Sequence, residues 1–227
     1  MTRPTLLAPA IACALLTGCG SPPSESAAPA ASAQTQFWQS LSTHCGKAYA
    51  GTLVSDDAAD ADMQGAEMVM HVRTCDDQQI TVPFHIKQTG GEWDRSRTWV
   101  FTRLGDDALR LKHDHRHADG ESDDVTMYGG DTADAGTAQR QSFPVDQFSI
   151  DMFKREGLDA STTNVWSVEV NPADQDGAQF AYQLSRSKAL GAPEDRNFRV
   201  EFDLTSPIEV PPAPWGHETN KQQPTEE

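Results

Sequence analysis

The feature that most constrains this chain is strict alternation. In "FRVEFDL", Phe198, Val200, Phe202 and Leu204 share one side, and Arg199, Glu201 and Asp203 the other. A period of two places the apolar set on one face of an extended strand and leaves the other to polar surroundings. The pattern recurs in "KAYAGTLVSD", "AEMVMHVRTC", "QQITVPFHI", "RTWVFTRL", "ALRLKHDHRH", "DVTMYGG", "AQRQSFPVD", "NVWSVEVNP" and "AQFAYQLSRS". Gly- and Asp-rich turn signals such as "TGGEWD", "ADGESDD" and "PADQDG" separate them. About ten short strands at this spacing predict an all-β fold, an antiparallel up-and-down β-barrel.

Helical periodicity is confined to two places. In "QFWQSLSTHCG", Phe37, Trp38 and Leu41 share a helical face and Gly46 follows as a stop, which predicts one short N-terminal helix. The segment 147–158, "QFSIDMFKREGL", fits a short helix between strands. Small and proline-rich residues at 20–35 predict a flexible tether, counted from residue 19 to 36, and 206–227, with five prolines, a mobile tail. The barrel domain is therefore expected over 37–205.

The first residues bear on location. Arg3 precedes a short apolar run, "LLAPAIACALL", too short to span a bilayer but of the length of a secretory leader's apolar core. It ends in Leu16-Thr17-Gly18-Cys19, which resembles the lipobox of bacterial lipoproteins. The resemblance implies removal of residues 1–18, acylation of Cys19 and anchoring in a lipid bilayer. Gly20 stands where aspartate would resemble an inner-membrane retention signal, so the expected address is the periplasmic side of the outer membrane. A net charge of −16 disfavours nucleic acid as a partner. Cys45 and Cys75 remain as a pair in an oxidising compartment, where a disulfide is expected. Closing that loop would stabilise the fold by roughly 3–4 kcal/mol.

A helix leading into the Gly-containing strand "YAGTLV", followed by consecutive hairpins, resembles the lipocalin or calycin barrels over about residues 47–204. The first strand carries Tyr49-Ala50-Gly51 where that family has Gly-x-Trp. The phrases "DRSRTWV", "LKHDHRHADG", "TMYGGDT" and "FRVEFDL" also look like an uncharacterised family of bacterial secreted proteins, a likeness that implies no activity.

Candidate chemistry centres on "LRLKHDHRHADG", residues 109–120. His113, His115 and His117 are in phase with Leu109 and Leu111, so if the leucines point into the barrel the histidines follow toward its mouth. Arg110, Lys112, Asp114 and Arg116 then face water. Two imidazoles at His-x-His spacing can share zinc or another transition metal, but the outer pair lies about 13 Å apart along a strand, too far to share one ion. A third ligand would come from His71, His85, Asp119, Glu121, Asp123 or Asp124. The alternative is a polar barrel end in which the histidines hydrogen-bond to neighbours. In "WDRSRTWVFTR", Arg95, Arg97 and Arg103 lie in phase with Trp99 and Phe101, and form a candidate anionic-ligand site or internal salt bridges. No Gly-x-Ser-x-Gly elbow is present, and covalent hydrolase chemistry is unsupported.

Three functions follow as expectations. The first is binding of a small apolar or amphipathic ligand, by analogy with barrels that enclose a cavity. The second is a metal-dependent or acid–base enzyme built on the histidines. The third is an interaction module of the cell envelope with a filled barrel.

Overall fold

The computed structural model describes residues 30–218. The leader, Cys19 and most of the tether lie outside the described residues, as does 219–227. The strands are β1 (Ala48–Leu53), β2 (Met68–His71), β3 (Thr74–Cys75), β4 (Gln79–Lys87), β5 (Trp93–Arg103) and β6 (Leu109–His115), then β7 (Tyr128–Asp131), β8 (Arg140–Pro144), β9 (Val165–Val170), β10 (Gln179–Arg186) and β11 (Arg196–Asp203). Their spatial order is β7-β6-β5-β4-β2-β1-β11-β10-β9-β8, all antiparallel, with β3 paired to β4. Neighbours in sequence are neighbours in space, so this is an up-and-down barrel, nearly closed, with its seam between β7 and β8.

Glycine makes the seam possible. No ladder joins β7 to β8, but the Asp146 amide donates to the Gly129 carbonyl at 2.9 Å. A Cβ on Gly130 would sit 1.7 Å from the Pro144 carbonyl oxygen, and one on Gly129 would sit 1.9 Å from that of Leu111. The backbones approach more closely than any side chain permits. Lys112 Nζ reaches across the seam to Asp146 Oδ2 at 2.5 Å.

Connections alternate between the two ends of the barrel, and one end is plugged. Helix α1 (Ala33–Ser42) buries Phe37, Trp38 and Leu41 in the core. Each such side chain contributes about 2–3 kcal/mol on leaving water. The helix starts four residues earlier than the expected domain boundary, because the Ser32 side chain accepts from the Thr35 amide at 3.1 Å and caps it. Gln34 bonds to the Asp134 carbonyl, and His44 lies between the Tyr49 hydroxyl and the Asn171 carbonyl. The Cys45–Cys75 disulfide, expected from the sequence, ties this end to β3. Helix α2 (Gln147–Arg155) lies at the opposite end, capped by Asp146 and packed on the seam through Ser149.

The interior is filled over most of its length. Phe101, Phe143, Trp166, Phe180 and Phe202 are fully buried there. Trp99 is stacked with Phe84, Tyr182 and Phe180 at centroid distances of 4.9, 4.5 and 5.7 Å.

The C-terminal segment departs from the expected mobile tail. Residues 206–218 cross the outer face of the barrel as a strap. The Ile208 amide bonds to the Ala48 carbonyl, the Trp215 amide to the Arg95 carbonyl, and Arg73 to the His217 carbonyl. Pro211, Pro212 and Pro214 have no amide hydrogen to satisfy, so this backbone can cross strands without joining the ladder. Under it the outer face is buried at Val69, His71, His85, Thr98 and Asp114.

Candidate functional site

The barrel interior leaves unfilled space at its mouth. A chamber of about 140 Å³ lies among Phe84, Trp99, Tyr128, Tyr182, Leu184 and Phe198, with His113, His115 and Arg97 in its wall. A second space of about 220 Å³ shares His115, Tyr128, Tyr182 and Leu184 with it and extends toward α2 and Asp123. Outside, a groove of about 420 Å³ runs between Trp93 and Trp215 past Arg97 and His115. His115 borders all three, and Arg97 stands between the chamber and the groove.

The phase expected for β6 holds through His115. Leu109, Leu111 and His113 are buried inward. His113 Nδ1 meets the Tyr128 carbonyl at 3.0 Å and its Nε2 the Tyr182 hydroxyl at 2.8 Å. The carbonyl can only accept, so the proton sits on Nδ1 and Nε2 accepts from tyrosine. Burial pushes the His113 pKa down to about 3, which keeps the ring neutral. His115 Nε2 meets the Tyr128 hydroxyl at 3.0 Å. Burial, with Arg97 adding to it, lowers His115 to about 4. Burial also raises the Tyr128 phenol to about 12 and the Tyr182 phenol well above its ordinary value. The imidazoles and phenols at the mouth are therefore neutral hydrogen-bonding groups, with Arg97 as the charged side chain beside them.

The third histidine does not join them. Strand β6 ends at His115, and His117 is exposed in the following turn, where its amide bonds to the Glu121 carbonyl. His71 and His85 lie on the outer face beneath the strap, with the barrel wall between them and His113. Asp123 does border the His115 side of the mouth, but no group of three or more His, Cys, Asp or Glu placed to hold a metal occurs among the described residues. Both His113 nitrogens are already bonded, so the zinc reading lacks a ligand set. As a general base near neutral pH, His115 is too weakly basic to be matched to the task.

The opposite face of β6 meets water as expected at Arg110 and departs from expectation at Asp114. Arg110 pairs with Asp131 at 2.6 Å. Asp114, expected in water, is buried under the strap, where Arg116 Nε and His217 Nε2 bond to its Oδ2 at 3.0 and 2.8 Å. Burial opposes its ionisation, but those two partners outweigh it and hold the carboxyl below the usual range.

The three arginines of β5 part company. Arg103 bonds to Asp106 at the plugged end and lies over the Trp38 ring. Arg95 turns outward and holds the strap at the Ala213 carbonyl. Only Arg97 reaches the mouth. The cause is a β-bulge: Phe84 pairs with Arg97 and Ile86 with Asp94, so two steps on β4 match three on β5. The extra residue reverses the phase, sends Arg95 out, and puts Asp94 and Arg97 on one face. They form an ion pair there. Burial works against the Asp94 charge, but Arg97 and Ser96 together hold its carboxyl below the usual range.

Sequence reasoning missed Tyr128, Tyr182, Leu184 and Asp94. Tyr182 and Leu184 were readable, being in phase with Phe180. Tyr128 follows Met127, whose φ of 55° turns the chain into β7, and nothing in "TMYGGDT" announces that turn.

Fold and site together define an antiparallel barrel plugged at one end by a helix and open at the other into a small aromatic chamber. No family model, curated protein or solved structure matches the chain.

Proposed function

We propose that this protein is a lipid-anchored envelope protein that binds a small amphipathic molecule at the mouth of its barrel. The observation that carries the binding reading is the 140 Å³ chamber, walled by aromatic rings and edged by neutral imidazole and phenol groups. A dry cavity of comparable size, about 150 Å³, accepts one benzene ring. The filled interior restricts the ligand to about one ring with a polar end.

Leu184 borders both inner spaces, so Leu184→Trp should fill them. Ligand-observed NMR with phenol, benzoate, benzamide and indole should detect binding to the native chain that this variant loses while staying folded. If no member of the panel binds, or if Leu184→Trp binds as before, the chamber is not a ligand site and the envelope interaction module becomes the better reading.

The anchor rests on Leu16-Thr17-Gly18-Cys19 alone. Mass spectrometry of protein expressed in a bacterial host should find an N-terminal acylated Cys19 and no residue before it, and Cys19→Ala should release the protein from the membrane fraction. Unmodified, soluble native protein would end the lipoprotein reading.

A further inference from the structure

We infer that the mouth selects a small monocarboxylate with an apolar body of about one ring, and that Arg97 is the group that pairs with its carboxylate. This rests on the reading of the chamber as a binding site and names the class of ligand.

Three observations converge. First, Arg97 is the only charged side chain in the wall of the chamber among the described residues; no carboxylate lines it. Second, the guanidinium is only partly used. Its bonds to Asp94 Oδ2 and to Ser96 Oγ both leave from Nη1. The Nε and Nη2 hydrogens bond to nothing among the described residues, and that edge offers two parallel N–H groups that match a carboxylate. Third, the aromatic rings are spent on one another. Trp99 stacks with Phe84 and Tyr182, and Tyr128 stacks with His113 at 4.6 Å. Rings carry negative charge on their faces and positive charge at their edges, so stacked rings leave edges for a guest. That disfavours a cage for an ammonium group, which needs open faces.

The net charge of −16 does not decide the matter. Charges beyond about 8 Å are screened at physiological salt, and contact with Arg97 is closer than that. Asp94 takes an Nη1 hydrogen of Arg97, and its charge lowers the attraction without occupying the Nε–Nη2 edge. Asp123 borders the adjoining space and not the chamber.

The test compares three probes with one phenyl ring and different charge, benzoate, benzamide and benzylamine, by titration calorimetry at pH 7. Benzoate should bind about tenfold or more tightly than benzamide, as a charge-assisted bidentate pair requires. Arg97→Gln should remove that preference and leave benzamide unchanged. Because Arg97→Gln leaves Asp94 without its partner, the double variant Asp94→Asn/Arg97→Gln removes both charges together and should give the same loss. Benzamide or benzylamine binding as tightly as benzoate, with Leu184→Trp still blocking it, would overturn the carboxylate assignment and keep the site. The same result follows if benzoate retains its preference in the double variant. Failure of all three probes while phenol or indole still binds would overturn this inference and keep the site, and failure of phenol and indole as well would overturn both.

Discussion

His85 shows how one residue can be legible in identity and hidden in role. It points outward from β4, yet the strap leaves it almost fully buried. Neither ring nitrogen meets a hydrogen-bond partner among the described residues. Burial, with Arg95 close by, lowers its pKa to about 4. A buried polar group without a partner costs about 1–3 kcal/mol, so an apolar replacement removes a penalty. His85→Leu should leave urea-unfolding stability at pH 7 unchanged or raise it by about 1 kcal/mol. A loss above about 2 kcal/mol would show that the ring has a partner after all, such as a bound water. Arg97 teaches a related lesson. Its type suggested anion binding, but simple alternation grouped it with Arg95 and Arg103, and the bulge that separates them has no mark in "WDRSRT".

At the scale of elements, the sequence is most informative where the chain makes its own local contacts. Helix α1 was readable from Phe37, Trp38 and Leu41, and its true start from Ser32, a cap hidden in a run of small residues. The pair Gly129-Gly130 was readable as the end of the strand segment "DVTMYGG". Its function is to let β7 and β8 close the barrel, since the clash at Gly130 is with another strand's backbone. Gly130→Ala must push the seam apart, and overpacking of this kind costs about 3 kcal/mol. Chemical denaturation should register that loss, with faster hydrogen exchange in β7 and β8. A variant as stable as the native chain would mean the seam is loose enough to yield.

For the whole molecule, the consequence that reaches furthest is acid lability. His85, His113 and His115 all have folded pKa values well below the ordinary 6.5, at about 4, 3 and 4. Below pH 6.5 the unfolded chain takes up protons that the folded chain refuses, so stability falls as pH falls, until about pH 4. Each such proton adds about 1.4 kcal/mol per pH unit, or up to about 4 for the three together. Asp94, Asp114 and Asp146, also held below their ordinary values, extend the loss in the same direction at lower pH. Urea midpoints measured from pH 7 to pH 4.5 should drop steeply, and His85→Leu should make the slope shallower by one proton. A flat profile across that range would contradict histidines that the fold holds neutral.

Alternation, turn residues and one amphipathic face were enough to specify strands, their order and the plugging helix, because each is a relation between residues close in the chain. The Cys45–Cys75 disulfide, expected from the sequence, is present as well. What the tertiary structure decided are relations between distant segments. It filled the barrel with rings from opposite walls and left one chamber at the mouth. It laid 206–218 over a face expected to meet water, and it reversed the phase of β5 by a single residue. Such contacts depend on volumes and backbone approaches summed across the barrel, and no local period in the sequence carries them.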